Sequence, residues 1–410
     1  MTTVDTAPPE GARASYRDVF GVGEFRVIFA ANVVSMLGTV VASVALTVLI
    51  YDQTRSAALA ALVMALAFMP YLIGGTLLGA AVDRLPARRV LIVCDLASAA
   101  VVAVMVIPGV PVPGLLALLF AEGLVAPVFQ GVRSAMLPDI LPAGPPYVLG
   151  RSLMRMVSQG AQIAGYGAGG LLLAVLPPRS ALAADALSFV ASALLLRLGT
   201  AWRPARTAPG PAGSRRMTRD SLAGLRAVLS DRATRRILLF GWLVPACEVV
   251  PEALAAPYAT YIGQPARVAG FLLMGIPIGT VAAIVLSARL LTAGWQRRII
   301  VPAALVSFAA LAGFAASPGL ALALMLLVVC GLGSAWMAGM DGLLVAAAPP
   351  ALRSRALALS NTGLMFTQGA GFALWGLAGQ YAPLPVVIPA VAVAGAVAVV
   401  AFRPTAADPV

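Results

Sequence analysis

Gly79-Ala80-Ala81-Val82-Asp83-Arg84-Leu85-Pro86-Ala87-Arg88-Arg89 sets four charges in eleven residues, between two long apolar runs. The run before it, from about Ala57 to Ala81, carries no charge, and the run after it, from about Val90 to Ile107, carries only Asp95. A short charged turn joining two membrane-length segments faces water, and its three arginines mark that side as cytoplasmic.

Composition extends this reading to the whole chain. Of 410 residues, 60% are hydrophobic and 11% are charged, and mean hydropathy is +0.95. A soluble domain carries about 25% charged residues, so this is a multi-pass membrane protein embedded in a lipid bilayer. All 28 cations are arginine, with no lysine and no histidine. A net charge of +12 would suggest nucleic acid in a soluble protein. Here it follows from arginine collecting on cytoplasmic loops, and nucleic acid is not an expected partner. Cys94, Cys247 and Cys330 are isolated in predicted helices and form neither a disulfide framework nor a metal-ligand spacing. No cofactor and no metal are expected. The first 24 residues hold prolines and charges but no apolar core, so no cleavable signal peptide is read there.

Residues 1–20 read as a cytoplasmic tail. Residues 21–198 read as a bundle of six helices, over about 25–50, 57–81, 90–107, 115–136, 149–176 and 181–198. A cytoplasmic linker, 199–235, follows, with Leu222, Leu225, Val228 and Leu229 at helical spacing in a short amphipathic helix on the membrane surface. A second six-helix bundle covers 236–402, with spans at about 236–262, 268–291, 299–316, 320–348, 356–381 and 385–402. Residues 403–410 are a second cytoplasmic tail. Each span exceeds the roughly 17 residues needed to cross a bilayer, and the absence of two-residue alternation excludes a β-barrel.

The arginines test this plan independently. With both ends inside, only Arg55, Arg179 and Arg267 fall on outer turns, and the other 25 fall on the inner side. One helix more or fewer would scramble that partition. An internal duplication also appears. Gly165-Tyr166-Gly167 and Gly369-Ala370-Gly371 lie 204 residues apart, and at the same offset Arg151 pairs with Arg355 and Ser158 with Thr362. Arg88-Arg89 and Arg297-Arg298 pair at 209. The fold class is therefore an all-α membrane protein of twelve transmembrane helices in two pseudo-symmetric halves, with a substrate path between them.

Gly79, Asp83, Arg84, Arg88 and Arg89 match a known loop signature, Gly-x-x-x-Asp-Arg-x-Gly-Arg-Arg/Lys, with Pro86-Ala87 in place of the second glycine. It lies between the second and third helices of the major facilitator superfamily, which the whole chain resembles. The segments 32–54, Arg133–Asp139 and Gly165–Gly170 look most like the branch that exports drugs, macrolides and siderophores. Gly165–Gly170 is similar to the Gly-Pro-x-x-Gly-Gly element of that branch, with Tyr166 in place of proline. The resemblance implies a monomeric carrier of the inner (plasma) membrane, with proton-coupled efflux of an amphipathic organic small molecule. It also implies that Asp83 latches an inner gate against the amino end of helix 11, which suits a carboxylate at a helix dipole. An uptake permease or a lysophospholipid flippase of the same fold is the alternative. The arginine that many exporters place four residues before a glycine in helix 4 is absent, since Leu119 precedes Gly123. That relay does not carry over.

Carboxylates inside membrane spans are costly and mark function by default. Asp95 is expected near the inner interface, within reach of Arg88 or Arg89, and Asp185 near solvent at the outer end of its helix. Glu122, Glu248, Glu252 and Asp341 are the candidates for proton coupling. Glu248 and Glu252 stand four apart on helix 7, on one face, with Pro245 and Pro251 around them. Two carboxylates sharing a small wet volume compete for ionisation, which is the chemistry of a proton carrier. The same pair would also attract a cationic substrate. Asn32, Ser35 and Thr39 form a polar stripe on helix 1. With Gln159, Gln162, Tyr166, Trp242, Phe366 and Gln368 they are the candidates for lining the substrate cavity, although each such group also serves as interhelical glue.

Other classes fit less well. An ATP-driven pump needs a phosphate-loop lysine, and the chain has none. A prenyl-transfer enzyme needs clustered aspartates for magnesium, and a zinc enzyme of the usual kind needs histidine. A membrane receptor or regulator built on this fold is opposed by the carboxylates inside the spans.

Overall fold

The computed structural model describes residues 15–70, 85–142, 144–203, 229–348 and 352–404. Gly79, Asp83 and Arg84, and the linker helix expected before Leu229, lie outside the described residues. Among the described residues the helical segments follow the expected order and are consistent with twelve spans. The first half holds α1 (Gly23–Thr54), α2 (Ala57–Phe68), α3 (Ala87–Val106), α4 (Val112–Ile140), α5 (Pro145–Val175) and α6 (Pro178–Gly199). The second half begins with α7, built from Arg232–Glu248, Val250–Ala253 and Ala255–Tyr261. It continues with α8 (Ala269–Leu290), α9 (Ile300–Ala312) and α10, built from Leu320–Gly333, Ser334–Trp336 and Met337–Ala347. α11 (Arg353–Tyr381) and α12 (Leu384–Ala401) complete it. Among the described residues, seven helical segments are long and apolar enough to cross a membrane unaided, and the bent α7 makes an eighth. α2 is described as a helix only over its first twelve residues, α11 carries arginine in its first turn, and α5 carries Arg151 in its second. Val93, Leu187 and Val397 are exposed on the outer faces of α3, α6 and α12, so these helices are apolar outside as well as inside, as a lipid environment requires.

Helix ends follow from local chemistry. Ser56 caps α2 by accepting from Leu59 N at 3.2 Å, and Arg55 in the left-handed conformation (φ 52°) closes α1, so two residues suffice for this turn. Gly144 (φ 98°) lets the chain turn before Pro145 opens α5. Asp231 caps α7 through Thr234 N at 2.7 Å, and its bonds to Thr234 hold its carboxyl below the usual carboxylate range.

Two arginines knit the antiparallel pair α3 and α6. Arg179, in the first turn of α6, donates to the carbonyls of Val106 (3.1 Å) and Ile107 (2.5 Å) at the end of α3. Arg88, in the first turn of α3, donates to the carbonyl of Arg197 at the end of α6. Each helix thus supplies a cation to the negative end of its neighbour's dipole. Nearby, Arg203 grips Glu24 through two bonds, at 2.6 and 2.9 Å, and reaches the Asp139 carbonyl at 3.3 Å. It ties the ends of α1, α4 and α6 together on the face that carries residue 15, called here the near face.

The halves meet along two pseudo-equivalent seams, α2 with α11 and α5 with α8. Both depend on small residues. A Cβ on Gly270 of α8 would lie 2.7 Å from the Gly170 Cα of α5, and one on Gly369 of α11 would lie 2.8 Å from Met69 Cγ. Gly376 similarly admits Ala61. Phe68 stacks on Phe372 at 5.6 Å, and Tyr51 O–H meets Thr260 Oγ1 at 3.0 Å. The core of the second half accordingly continues into Val44, Val48, Met64 and Tyr166 of the first. These contacts hold the halves together toward the far face, where hollows of about 650 and 340 Å³ remain among the turns and helix ends.

Candidate functional site

On the near face the halves diverge. A cavity of about 680 Å³ opens there between α4, α5 and α11. Its polar wall is Gln130, Arg133, Ser134, Tyr147, Arg151, Ser158 and Asn361. Arg133 lies seven residues from the end of α4, and Arg151 six residues past the start of α5. At 1.5 Å per residue both are about 10 Å inside the helix ends. Neither was singled out for function from the sequence, because the expected spans, about 115–136 and 149–176, put both within three residues of a helix end and the observed helices are longer.

A second cavity, of about 160 Å³, sits wholly in the first half, between an apolar cluster near the far face (Leu46, Met105, Leu115) and one near the near face (Phe25, Leu91, Met136). The α1 stripe Asn32, Ser35 and Thr39 faces it, with Asp95 of α3 and Glu122 of α4. Gln130 and Arg133 line both cavities and form the wall between them. Arg133 also stands over the Phe129 ring at 5.6 Å. Asn32 is 1% exposed and neither of its amide atoms has a protein partner. A cavity of this size, largely apolar but with Ser35, Thr39 and Glu122 on its wall, has room for the water that such an amide requires.

Two expectations for the first half need correction. Asp95 does not pair with Arg88 or Arg89. It is buried and accepts from Ser192 Oγ of α6 at 2.6 Å, while Arg88 caps α6 instead. Asp185 is not near solvent. It is 2% exposed and accepts from Ser188 Oγ at 3.2 Å and from Thr39. Gly38 makes this possible, because a Cβ there would stand 2.5 Å from Asp185 Oδ1.

In the second half, α7 is broken where its carboxylates lie. Pro251 and Pro257 lack the N–H groups that would bond one turn back, and the helix bends by 44°. Glu248 accepts from Trp336 Nε1 of α10 at 3.2 Å, with Ser307 of α9, which donates to the Cys330 carbonyl at 2.9 Å, beside it. Glu252 is within electrostatic range of Glu248 and of Tyr166 across the interface. Interrupted helices with carboxylates at mid-depth are a common way to build ion sites in carriers.

The remaining candidates divide. Trp242 packs against Gly363, and its Nε1 donates to Ser360 O at 3.2 Å, so it joins α7 to α11. Gln162 and Gln368 are half-buried and Phe366 is 41% exposed, and none of the three is on the wall of the 680 Å³ cavity. Arg89 is exposed. The side chains of Gln159 and Asp341 lie outside the described residues.

Two helical halves touching on one face and parted by a cavity on the other define a membrane transporter of the major facilitator fold. The chain belongs to the transmembrane secretion effector family of that superfamily, whose model matches residues 18–407. A peptide transporter of the POT type aligns with a TM-score of 0.73 over 95% of each chain at 14% identity. The nucleoside transporter NupG aligns at 0.66 over 92% of this chain and 98% of its own, at 15% identity. A D-xylose–proton symporter aligns at 0.66 over 94% and 97%, at 16% identity. No curated protein matches the chain by sequence.

Proposed function

We propose that this transporter is a secondary active exporter of the inner membrane, with both termini cytoplasmic, working by alternating access. It moves an amphipathic organic compound outward as protons move inward. The observation that carries this reading is a difference in depth: the 680 Å³ near-face cavity reaches residues about 10 Å inside the helices, whereas the far-face hollows of about 650 and 340 Å³ are lined by turns and helix ends, beyond the glycine seams, and this is taken as one end-state of a rocking cycle. The near face is also where most arginines collect, which supports its being cytoplasmic. Glu248 and Glu252 are the proposed proton carriers. They lie beside the interface, and Tyr166 links them electrostatically to the gate helix α5. Glu122, in the pocket of the first half, is the second candidate. The first half (21–198) and the second (236–402) are the proposed rigid bodies.

The test is a pH jump across vesicles of known orientation containing the purified protein, with a panel of fluorescent amphiphiles. Uphill movement toward the far face, lost in a Glu248→Gln/Glu252→Gln double variant, supports the exporter and places coupling on α7. Loss only in Glu122→Gln moves coupling to the first half. Movement indifferent to the gradient sinks proton coupling and favours a flippase, and movement toward the near face with the protons favours an uptake permease.

A further inference from the structure

We propose that the near-face cavity receives the anionic headgroup of its substrate (a carboxylate, sulfonate or phosphate) between Arg133 and Arg151. This deepens the transport reading and rests on it for the use of the cavity. The wall carries two guanidinium groups and no carboxylate among the described residues. Arginine offers a planar fork matched to such anions. The neighbouring polar groups, Gln130, Tyr147, Ser158 and Asn361, can all donate hydrogen bonds.

Both project from within their helices, about 10 Å from the near-face ends, and both line the cavity rather than a loop. Arg133 is 8% exposed. The acidic pocket with Asp95 and Glu122 stands behind it and steadies its charge, so its other side faces the cavity. Among the described residues lining the two cavities, the carboxylates Asp95 and Glu122 lie on the other side of the Gln130–Arg133 wall, and Glu248 accepts from Trp336 within the second half. Leu137, Met154 and Leu357 supply an apolar wall for the rest of an amphiphile, and 680 Å³ is within the usual range of about 300–1,000 Å³ for small-molecule sites.

The test is binding without any gradient. Naphthalene probes bearing a sulfonate, a trimethylammonium or a neutral glycol group are equilibrated with the protein in zwitterionic nanodiscs. The sulfonate is expected to bind at least about tenfold more tightly than the other two. Arg151→Gln, which faces the open cavity and leaves the helices intact, is expected to remove that preference. Arg133→Lys keeps the charge without the fork and is expected to reduce it. Arg297→Gln makes the same charge change at an exposed position outside the cavity and is expected to leave the preference unchanged. Tighter binding of the ammonium, equal or no binding of all three, or a sulfonate preference that survives Arg151→Gln overturns the assignment. Competition by a lysophosphatidylglycerol or by a short organic anion names the source of the anionic group, and either supports the assignment. Selective binding without gradient-driven movement would overturn the exporter reading alone. Uphill movement of cations only would overturn this inference alone.

Discussion

At Asp231 one carboxylate closes the first turn of α7, accepting from Thr234 N at 2.7 Å. Loss of such a cap costs about 1 kcal/mol. Its folded-state pKa is held down by the bonds to Thr234, so the stabilisation is present above the unfolded value of about 3.9 and is lost as pH falls through the folded one. Asp231→Ala is therefore expected to lower the unfolding midpoint at neutral pH, and the gap from the parent protein to close below about pH 4. A gap independent of pH, in thermal melts of detergent-solubilised protein, would show that the carboxylate is not the cause. Single residues were the least legible level in the sequence. The positions of Asp95 and Asp185 along their helices were readable, but their surroundings were not. Ser192 arrives from another helix, and the space beside Asp185 exists because residue 38, far away in sequence, is glycine.

Among elements, the α3–α6 pair gives the sharpest prediction. Arg179 was read only as one of three outer-face arginines, an exception to the charge rule. Its bonds to the Val106 and Ile107 carbonyls account for it. Arg179→Gln is expected to cost about 1.5–3 kcal/mol, the usual worth of a hydrogen bond to a charged group, and Arg179→Lys to restore only part of it. Equal melting of all three proteins would refute the cap. The spans themselves were readable because apolar runs and prolines state them directly. The α7 break was half-readable: Pro245 and Pro251 announced a distorted helix, but not that the bend would set Glu248 against Trp336 of α10. The glycines of α5 were read as packing residues. In the fold they divide by face, Gly165 and Gly169 against Val40 and Val44 of α1, and Gly167 and Gly170 against Met274 and Gly270 of α8. That division cannot be seen until the neighbours are known.

Across the whole molecule, the far-face seams select the state described here. Gly270→Val would drive its branched side chain into the Gly170 backbone and should favour parting of the halves on that face. Thr260 sits in the closed interface and bonds Tyr51, and the native Cys94, Cys247 and Cys330 are all buried. In a Thr260→Cys background, Gly270→Val is therefore expected to raise maleimide labelling severalfold, and unchanged labelling would mean that this seam is not the gate. The bare contact between Gly170 and Gly270 has a kinetic consequence as well. A gate whose faces interlock through long side chains must freeze rotamers each time it shuts and disentangle them each time it opens. Two glycine backbones have no rotamers to freeze and no teeth to mesh. Closure there depends on short-range dispersion, which fades within the first ångström of separation. If this crossing is the gate, as proposed, it is expected to part with little friction, and the pace of the proposed cycle to be set elsewhere, by what the cavity and the buried acids hold.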